Sequence, residues 1–422
     1  MNIRGQSGHT VGLPYFLNRP FWCWVALALL AGGVFSDSQA AGSDREFRAM
    51  WVVRHTLTSP EKILEVVKTA REAKFNALLV QVRGRGDAYY RSSIIPRGED
   101  LPEEAFDPLE LMIRQARKVG IEVHAWINIF LTWYPTNRMP TSYRHILHQH
   151  PEWFMTSADG IQMGRADLGG VDLVSRGVEG RYLSPGVPEV HEHLLKMIEE
   201  IVRRYDIDGI HLDYIRYPNF LYDFNTVSRS KFKKRYGFDA PDVLASDENQ
   251  ERGDQRRKLW DRWRTDQVNL LVEEIHRLLL RLNPSIKLSA AVKPDLLRAY
   301  HQHGQDWIRW INTQTIDFVV PMFYAGSTES IVGQISEARK YVKKGHLYAG
   351  IGDWNQPPVE TLAQIEQARR LGIKGVVLFS YESLSKRPGG LKLLQDGPFL
   401  RPSRTPLMRW KEWRHGAETE AR

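Results

Sequence analysis

Cysteine is almost absent from this chain: its 422 residues hold one, Cys23. That excludes a disulfide scaffold. No glycine-rich GxGxxG turn follows any β-rich run, and Gly84-Arg85-Gly86 is too short to serve as one, which argues against a doubly wound nucleotide-binding sheet. No charge of one sign dominates, with 58 Lys+Arg against 50 Asp+Glu and a formal net charge of +8. Such a balance bears on solubility and association, not on fold. A hydrophobic share of 42% with 26% charged residues excludes a collagen-like fibre and a wholly disordered chain.

What is present begins with the first forty residues. Arg4 and Arg19 precede an apolar run, Phe21 to Phe35, which ends in Ser38-Gln39-Ala40. A positive region, a short apolar core and a small-residue end form a secretory signal peptide. About 15 apolar residues fall short of the ~20 that a spanning helix needs. Cleavage near Ala40 is therefore expected, giving an exported protein of the periplasm or cell envelope. Cys23 lies inside the removed segment and no lipid-anchor cysteine follows the run, so the mature chain has no thiol chemistry and no stable membrane anchor. Two arginines and one aspartate leave with the leader, so the mature charge is +7. Export also argues against a nucleic-acid partner.

From residue 48 onward, short β-rich runs alternate with amphipathic helical patterns, the mark of βα units and a parallel sheet. Eight strands are expected at 48–55, 76–83, 122–130, 209–216, 287–293, 317–324, 347–354 and 375–382. Helices are expected near 60–73, 107–119, 187–205, 259–282, 300–312, 328–343, 360–371 and 390–396. Gly120, Gly345 and Gly372 stand where helix C-terminal caps belong. Eight such units predict an α/β fold, a (β/α)8 TIM barrel over 41–400, followed by a polar basic tail, 401–422. In that tail Met408 to Trp413 is able to dock as a short helix. The connections after strand three (131–185) and strand four (218–258) are long, and both fall at the C-terminal strand ends, where a barrel carries its active site. The first, with Trp133, Tyr134, Tyr143, Trp153 and Phe154, reads as one wall of a cleft. The second carries the polar stretch Asp247 to Glu251 and reads as partly helical or mobile.

Side chains alternate faces along a strand. Parity turns Gln81 and Arg83 inward on strand two, His124, Trp126 and Asn128 on strand three, and His211 and Asp213 on strand four. Lys293 on strand five and Ser380 and Glu382 on strand eight follow, and Tyr324 and Trp354 end their strands. The result is a polar ring of Arg83, Asn128, Asp213, Lys293, Tyr324, Trp354 and Glu382. Carboxylates among cations, hydroxyls and aromatic plates suit glycoside cleavage: one protonates the leaving oxygen, and the other attacks the anomeric carbon or activates water. Lys293 and Arg216 are expected to hold Asp213 low and ionised, as base or nucleophile. Glu382, if drier, suits the acid role.

The run Tyr205-Asp206-Ile207-Asp208-Gly209-Ile210-His211-Leu212-Asp213-Tyr214-Ile215-Arg216-Tyr217-Pro218, with His150-Pro151-Glu152-Trp153 and Leu183-Ser184-Pro185-Gly186 before it, resembles the glycosyl-hydrolase-like 10 family. Arg48-Ala49-Met50-Trp51, Gln81-Val82-Arg83, Gly86 to Ser92 and His124 to Asn128 extend the likeness over roughly 46–385. It implies a barrel hydrolase of cell-envelope polysaccharide, in a family with members acting on peptidoglycan glycan strands stripped of peptides. Asp213 is the first position carried over. Members often have a second acidic residue directly after it, where this chain has Tyr214. The segment is also similar to the Asp-x-x-Asp-x-Asp-x-Glu strand of chitinase-type barrels, but His211 replaces the middle Asp and Ile215 the acid Glu. The acid must then come from elsewhere, with Glu382, Asp295 and Asp87 the candidates in that order.

Blander readings stand beside these. Asp213 can be a buried ion pair, Asp208 a structural group at the opposite barrel face, and Asp87 and Arg83 a mutual pair or substrate contacts. Trp133 and Trp153 are either loop packing or sugar platforms. His145, His148 and His150 have metal-like spacing but no placed carboxylate partner, so neither a metal nor a cofactor is expected. The expected partner is a polysaccharide. Two rivals are a glycan-binding barrel without catalysis and a metal-dependent polysaccharide deacetylase.

Overall fold

Runs of β-branched and aromatic residues form the barrel strands: β1 Phe47–Val52, β2 Ala77–Arg83, β3 Glu122–Asn128, β4 Gly209–Asp213, β5 Lys287–Val292 and β6 Phe318–Phe323. Then come β7, in two segments, His346–Leu347 and Ala349–Gly352, and β8 Gly375–Phe379. These belong to a computed structural model that describes residues 45–102, 106–243 and 250–411. The leader read in 1–40, with Cys23, lies outside the described residues, as do Asp247 to Asn249 and Trp413. Each strand pairs in parallel with its successor, and β8 pairs with β1, Phe47 opposite Gly375, so the sheet closes. The helices that cover it are α1 Pro60–Glu72, α2 Pro108–Lys118, α3 Pro188–Arg204, α4 Gln250–Leu282, α5 Trp307–Asn312, α6 Thr328–Tyr341, α7 Pro358–Arg370 and α8 Gly390–Asp396. This is the (β/α)8 barrel expected.

Local chemistry sets the helix ends. Ser59 and Asp107 accept N–H bonds from Lys62 and Glu110 at the starts of α1 and α2, each followed by proline at the first helical position. The predicted cap Gly120 ends α2 at φ +71°, a conformation that costs glycine little. Helix α4 begins at Gln250, well before the expected 259, because its first turns (250–258) are charged and lack an apolar period to read. It shares a small core of Trp260, Trp263, Phe224 and Phe232 with the insertion after β4, which contains the helix Thr226–Tyr236.

The strands alternate as parity requires. Leu78, Val80 and Val82 pack outward against the helices, while Phe47, Ala49, Trp51, Leu79, Trp126, Ala291, Phe318, Val320, Tyr348 and Val377 fill the interior. Phe47 stacks on Tyr348 with ring centroids 4.6 Å apart. Higher up, the Trp51 indole donates to His211 Nε2 (3.1 Å), so the His211 proton sits on Nδ1 and bonds Ser289 Oγ (2.9 Å). Burial holds His211 well below its ordinary pKa, hence neutral. It is a spacer in the barrel's packed interior, not a replacement acid for the middle carboxylate of a chitinase-type strand.

Two strands are shorter than expected, with consequences for the site. β4 stops at Asp213 because Tyr214 takes φ +48°, outside the β region. β8 stops at Phe379: the Ser380 N–H bonds Ser383 Oγ (2.8 Å), and a helix, Tyr381–Lys386, begins there. Val377 and Phe379 are the inward residues of β8, so the parity that turned Ser380 and Glu382 inward as strand residues is corrected.

The N-terminal mouth is covered by the segment after Leu400. Met408 joins the interior cluster, the Trp410 indole donates to Asp317 Oδ1 (2.8 Å), and Lys411 pairs with Asp317 Oδ2 (2.9 Å). Thr405 bonds Glu122 (2.7 Å), and Arg404 bridges to Arg45. Residues 401–411 therefore pack as part of the barrel's base.

Candidate active site

At the opposite mouth, the C-terminal strand ends and the insertion after β3 enclose a cleft of ≈ 490 Å³. Its floor and walls are the aromatic faces of Trp51, Trp126, Tyr134, Tyr214, Tyr324 and Phe379, and its polar groups are Gln81, Asn128, Glu179, Asp213, Arg216, Lys293 and Gln334. An apolar surface with a few convergent polar groups is the usual build of a ligand site.

Asp213 sits at the centre. The left-handed turn at Tyr214 brings that residue's backbone N–H onto Asp213 Oδ1 (2.7 Å), and the Trp126 indole donates to Oδ2 (3.1 Å). Burial raises its pKa above the ordinary carboxylate value. The Tyr214 N–H, Arg216, Trp126 and Lys293 pull downward without cancelling that rise. This reverses the expectation that Arg216 and Lys293 keep Asp213 low. The charges are where they were read, but desolvation outweighs them, and the carboxyl is better suited to donate a proton than to act as a permanent anion.

Glu179 is its counterpart. One oxygen accepts from Arg216 (2.9 Å) and the other from the Tyr182 hydroxyl (2.9 Å). Burial raises its pKa, but Arg216 and Tyr182 more than offset this and hold it down at about 2. Its side chain is 42% exposed, so solvent screens the ion pair, which orients Arg216 more than it stabilises the fold. Arg216 also lies over the Tyr214 ring, 4.7 Å from its centroid. Burial, then the neighbouring Arg216, lowers the Lys293 ammonium. Asn128 is fully buried, its amide N–H₂ bonds Gly84 O (2.9 Å), and its Oδ1 has no partner among the described residues. That leaves an acceptor free for a substrate hydroxyl or amide.

Asp213, Asn128, Arg216, Lys293 and Tyr324 thus meet in one cleft. The other residues singled out in the sequence do not. Arg83 is fully buried beneath the insertion and donates to the backbone of Asn128, Ile129 (3.1 Å) and Leu131 (3.5 Å). A register irregularity between Gln81 and Arg83 takes it off the cleft wall. Asp87 is held by Arg85 (3.1 Å), not by Arg83. Trp354 stands 53% exposed on a turn after β7, outside the cleft lining. Asp295 caps the short helix Leu296–His301 by accepting the Arg298 N–H (2.9 Å). Trp133 is buried with its indole on Arg138 O (2.8 Å), and Trp153 stacks on His150 (3.8 Å), so both serve loop packing, and their neighbour Tyr134 is the aromatic that reaches the cleft. His145 and His148 each bond a backbone carbonyl, of Arg85 and Pro140 (both 2.7 Å). Among the described residues no group of three or more His, Cys, Asp or Glu is arranged to hold a metal.

Glu382 lies on the helix after β8 and accepts from the Val53 N–H (2.9 Å) and the Thr56 hydroxyl. It ties the turn after β1 into place and is not a cleft wall. Glu382→Gln is expected to keep glycan-cleaving activity within about ten-fold of wild type while costing about 1 kcal/mol of stability. Steady-state rates and a denaturant melt check both. A loss of several hundred-fold with an unchanged melt would return Glu382 to the acid role.

Glu179 was not found by sequence reasoning. It lies just before the insertion's short return strand, Arg181–Tyr182, next to Gly180, where a Cβ would meet Trp133 O at 2.1 Å. The glutamate beside a glycine opposite an aromatic loop was its faint signal.

A family model described as glycosyl hydrolase-like 10 matches residues 46–351. The chain belongs to this family. Asp213, Glu179, Arg216, Lys293 and Tyr324 fall within the matched span, and Trp354 and Glu382 fall beyond it. Among curated family relatives, glycosyl hydrolase YngK of Bacillus subtilis (strain 168) is 28% identical over 421 residues, covering 88% of this chain and 75% of that protein. Glycosyl hydrolase DigH of Escherichia coli (strain K12) is 23% identical over 282 residues, covering 59% of this chain and 54% of that protein. The chain thus spans about half the length of DigH. Among solved structures, the PgaB (BpsB) glycoside hydrolase domain from Bordetella bronchiseptica superposes with a TM-score of 0.61 at 15% identity, over 83% of this chain and 98% of that one. At that identity the likeness speaks for the barrel fold alone. Family and fold together make this glycosyl hydrolase-like 10 chain a glycan-acting, hydrolase-like protein.

Proposed function

We propose that the chain is an exported glycoside hydrolase of the bacterial cell envelope that cleaves peptidoglycan glycan strands, with Asp213 as the general acid. The observation that carries this is Asp213 itself: a buried carboxyl with a raised pKa at a barrel strand end, inside a cleft lined with aromatic faces. A carboxyl of that kind donates its proton to a glycosidic oxygen as the bond breaks, while water adds to the anomeric carbon and the proton it gives up restores the acid. Trp126 and the Tyr214 N–H then stabilise the carboxylate left behind, and Arg216 and Lys293 add positive charge nearby. Glu179 stays ionised and faces the positive charge that develops on the sugar ring, and Tyr324 and Asn128 offer a hydroxyl and a free acceptor to the substrate. Export is supported by the Arg4–Arg19, apolar 21–35 and Ala40 pattern.

Reducing ends released from peptide-free peptidoglycan strands and from poly-N-acetylglucosamine test this. The expected result is release from the peptidoglycan strands, unchanged by EDTA. A glycan-binding barrel is the second reading, favoured because both Glu179 oxygens are already occupied. Retention of one polymer in a pull-down with no release from either would select it, and acetate freed without new reducing ends, abolished by EDTA, would select the metal-dependent deacetylase class instead.

A further inference from the structure

Lys293 follows the last residue of β5, and its backbone is clamped on both sides. Its N–H donates to Gln305 Oε1 (3.0 Å), and its carbonyl accepts from the Trp307 indole (3.0 Å). Gln305 and Trp307 are both buried, so the base of the Lys293 side chain is held by fixed groups. Its other end is free. The residue is half-buried in the cleft lining, and its ammonium forms no hydrogen bond or ion pair with the described residues. Asp213 and Glu179 act on it only through space. The other charges of the cleft are engaged: Glu179 with Arg216 and the Tyr182 hydroxyl, and Asp213 with the Trp126 indole and the Tyr214 N–H. Arg216 also donates to Tyr217 O (3.4 Å), while its Nε is buried with no partner among the described residues. When Asp213 carries its proton, as an acid must before it acts, Glu179 and Arg216 cancel and Lys293 leaves the cleft one positive charge in excess. A partly desolvated cation without a counter-ion is a cost that an arriving anion offsets. The free acceptors of the lining, Asn128 Oδ1 and Gln334 Oε1, are neutral and suit sugar hydroxyls and amides. A neutral glycan satisfies those and does nothing for the ammonium.

We propose that Lys293 is the specificity-determining residue of the cleft and reads a carboxylate carried by a sugar unit of the bound chain. This rests on the glycan reading of the cleft and deepens it: the substrate class narrows to acidic glycans, and a chain of neutral N-acetylhexosamines is the poorer ligand. Two kinds of unit present this chemistry, the lactyl ether of a peptidoglycan strand freed of its peptides and the ring carboxyl of a hexuronate. Either offers a carboxylate acceptor to the three donors of an ammonium.

Calorimetric affinities of the full chain carrying Asp213→Asn, whose amide keeps the cleft charge of the protonated acid, test the assignment. The ligands are peptide-free peptidoglycan oligosaccharides with their lactyl carboxyls free or converted to primary amides, and oligosaccharides alternating N-acetylglucosamine with glucuronate, again as acid or amide. In one pair the acid is expected to bind about ten-fold tighter than its amide, the discrimination given by one charge-assisted hydrogen bond. The pair that shows the gap identifies which carboxylate is read. Adding Lys293→Met is expected to close the gap to less than about two-fold by weakening the acid form alone, and Lys293→Arg to keep most of it. A merely structural role for Lys293 would weaken acid and amide equally and leave the gap. Equal affinity of acid and amide in both pairs, or a gap untouched by Lys293→Met, overturns the proposal. A gap that Lys293→Met closes, with no reducing ends released by the wild-type chain, leaves Lys293 standing and removes the hydrolase reading. Wild-type cleavage of acid and amide at equal kcat/KM does the reverse. No binding of any of these glycans removes both.

Discussion

Asp213→Asn is expected to lower kcat/KM for glycan cleavage by about 10²- to 10⁴-fold, the range that loss of a positioned general acid produces. Binding of an uncleaved oligosaccharide should change little, because the amide fills the same space between Trp126 and Tyr214. The pH dependence carries the sign. Burial raises the Asp213 pKa above its ordinary 3.8, and the protonated form is the acid, so activity is present at low pH and falls as pH rises through the raised value. Stability is linked to the same proton. The unfolded chain ionises near 3.8 and the folded chain only at higher pH, so this group's contribution is complete below 3.8 and is lost as pH rises through the folded pKa. The Asn variant, which never ionises, should therefore melt above wild type at neutral pH and lose that advantage below pH 3.8. Calorimetric melts across that window, run beside rate profiles, check both halves. Wild-type release by the variant would remove Asp213 from the chemistry. A melting difference that grows toward acid would mean that the charges, not burial, dominate its environment.

The same residue shows what the sequence could carry. Strand four reads Ile210 and Leu212 on one face and His211 and Asp213 on the other, a clean alternation, and both inward residues are found inside the barrel. Strand eight, Gly375-Val376-Val377-Leu378-Phe379, is apolar on both faces, as buried parallel strands are. Its parity was ambiguous, and Glu382 was misplaced with it. Neither glycine nor proline marks the end of β4 at Tyr214 or the helix start after Ser380, so both strands were drawn too long. Arg83 had the right parity, but an irregularity in register, invisible in one-dimensional alternation, took it off the cleft. Glu179 meets Arg216 across 37 positions of chain, a contact set by how the insertion folds back. The sign of the Asp213 shift followed the same pattern: nearby charges are legible in a sequence, whereas the depth of burial that overrides them is a property of the closed barrel.

Depth of burial also governs the other end of the molecule, where the segment that reads as a polar tail packs as part of the base. Truncation after Leu400 is expected to lower stability by on the order of 5 kcal/mol. Met408, 6% exposed among interior side chains, contributes about 1.5–3 kcal/mol by burial. The larger loss falls on Asp317, whose side chain is 3% exposed. It would forfeit the Lys411 pair and the Trp410 indole while keeping the Leu288 N–H (2.8 Å), and stripping the cation from a buried carboxylate costs about 3 kcal/mol. At roughly 2 °C per kcal/mol for a domain of this size, the melting midpoint should fall by about 10 °C. Truncation after Lys411 serves as the control, since it keeps every one of these contacts. The cleft lies at the opposite mouth, so the shorter chain should retain its turnover well below its melting point. A large loss of turnover there, with the melt unchanged, would mean that the base segment acts on the cleft through the stacked interior of Phe47, Tyr348 and Trp51 and not through stability.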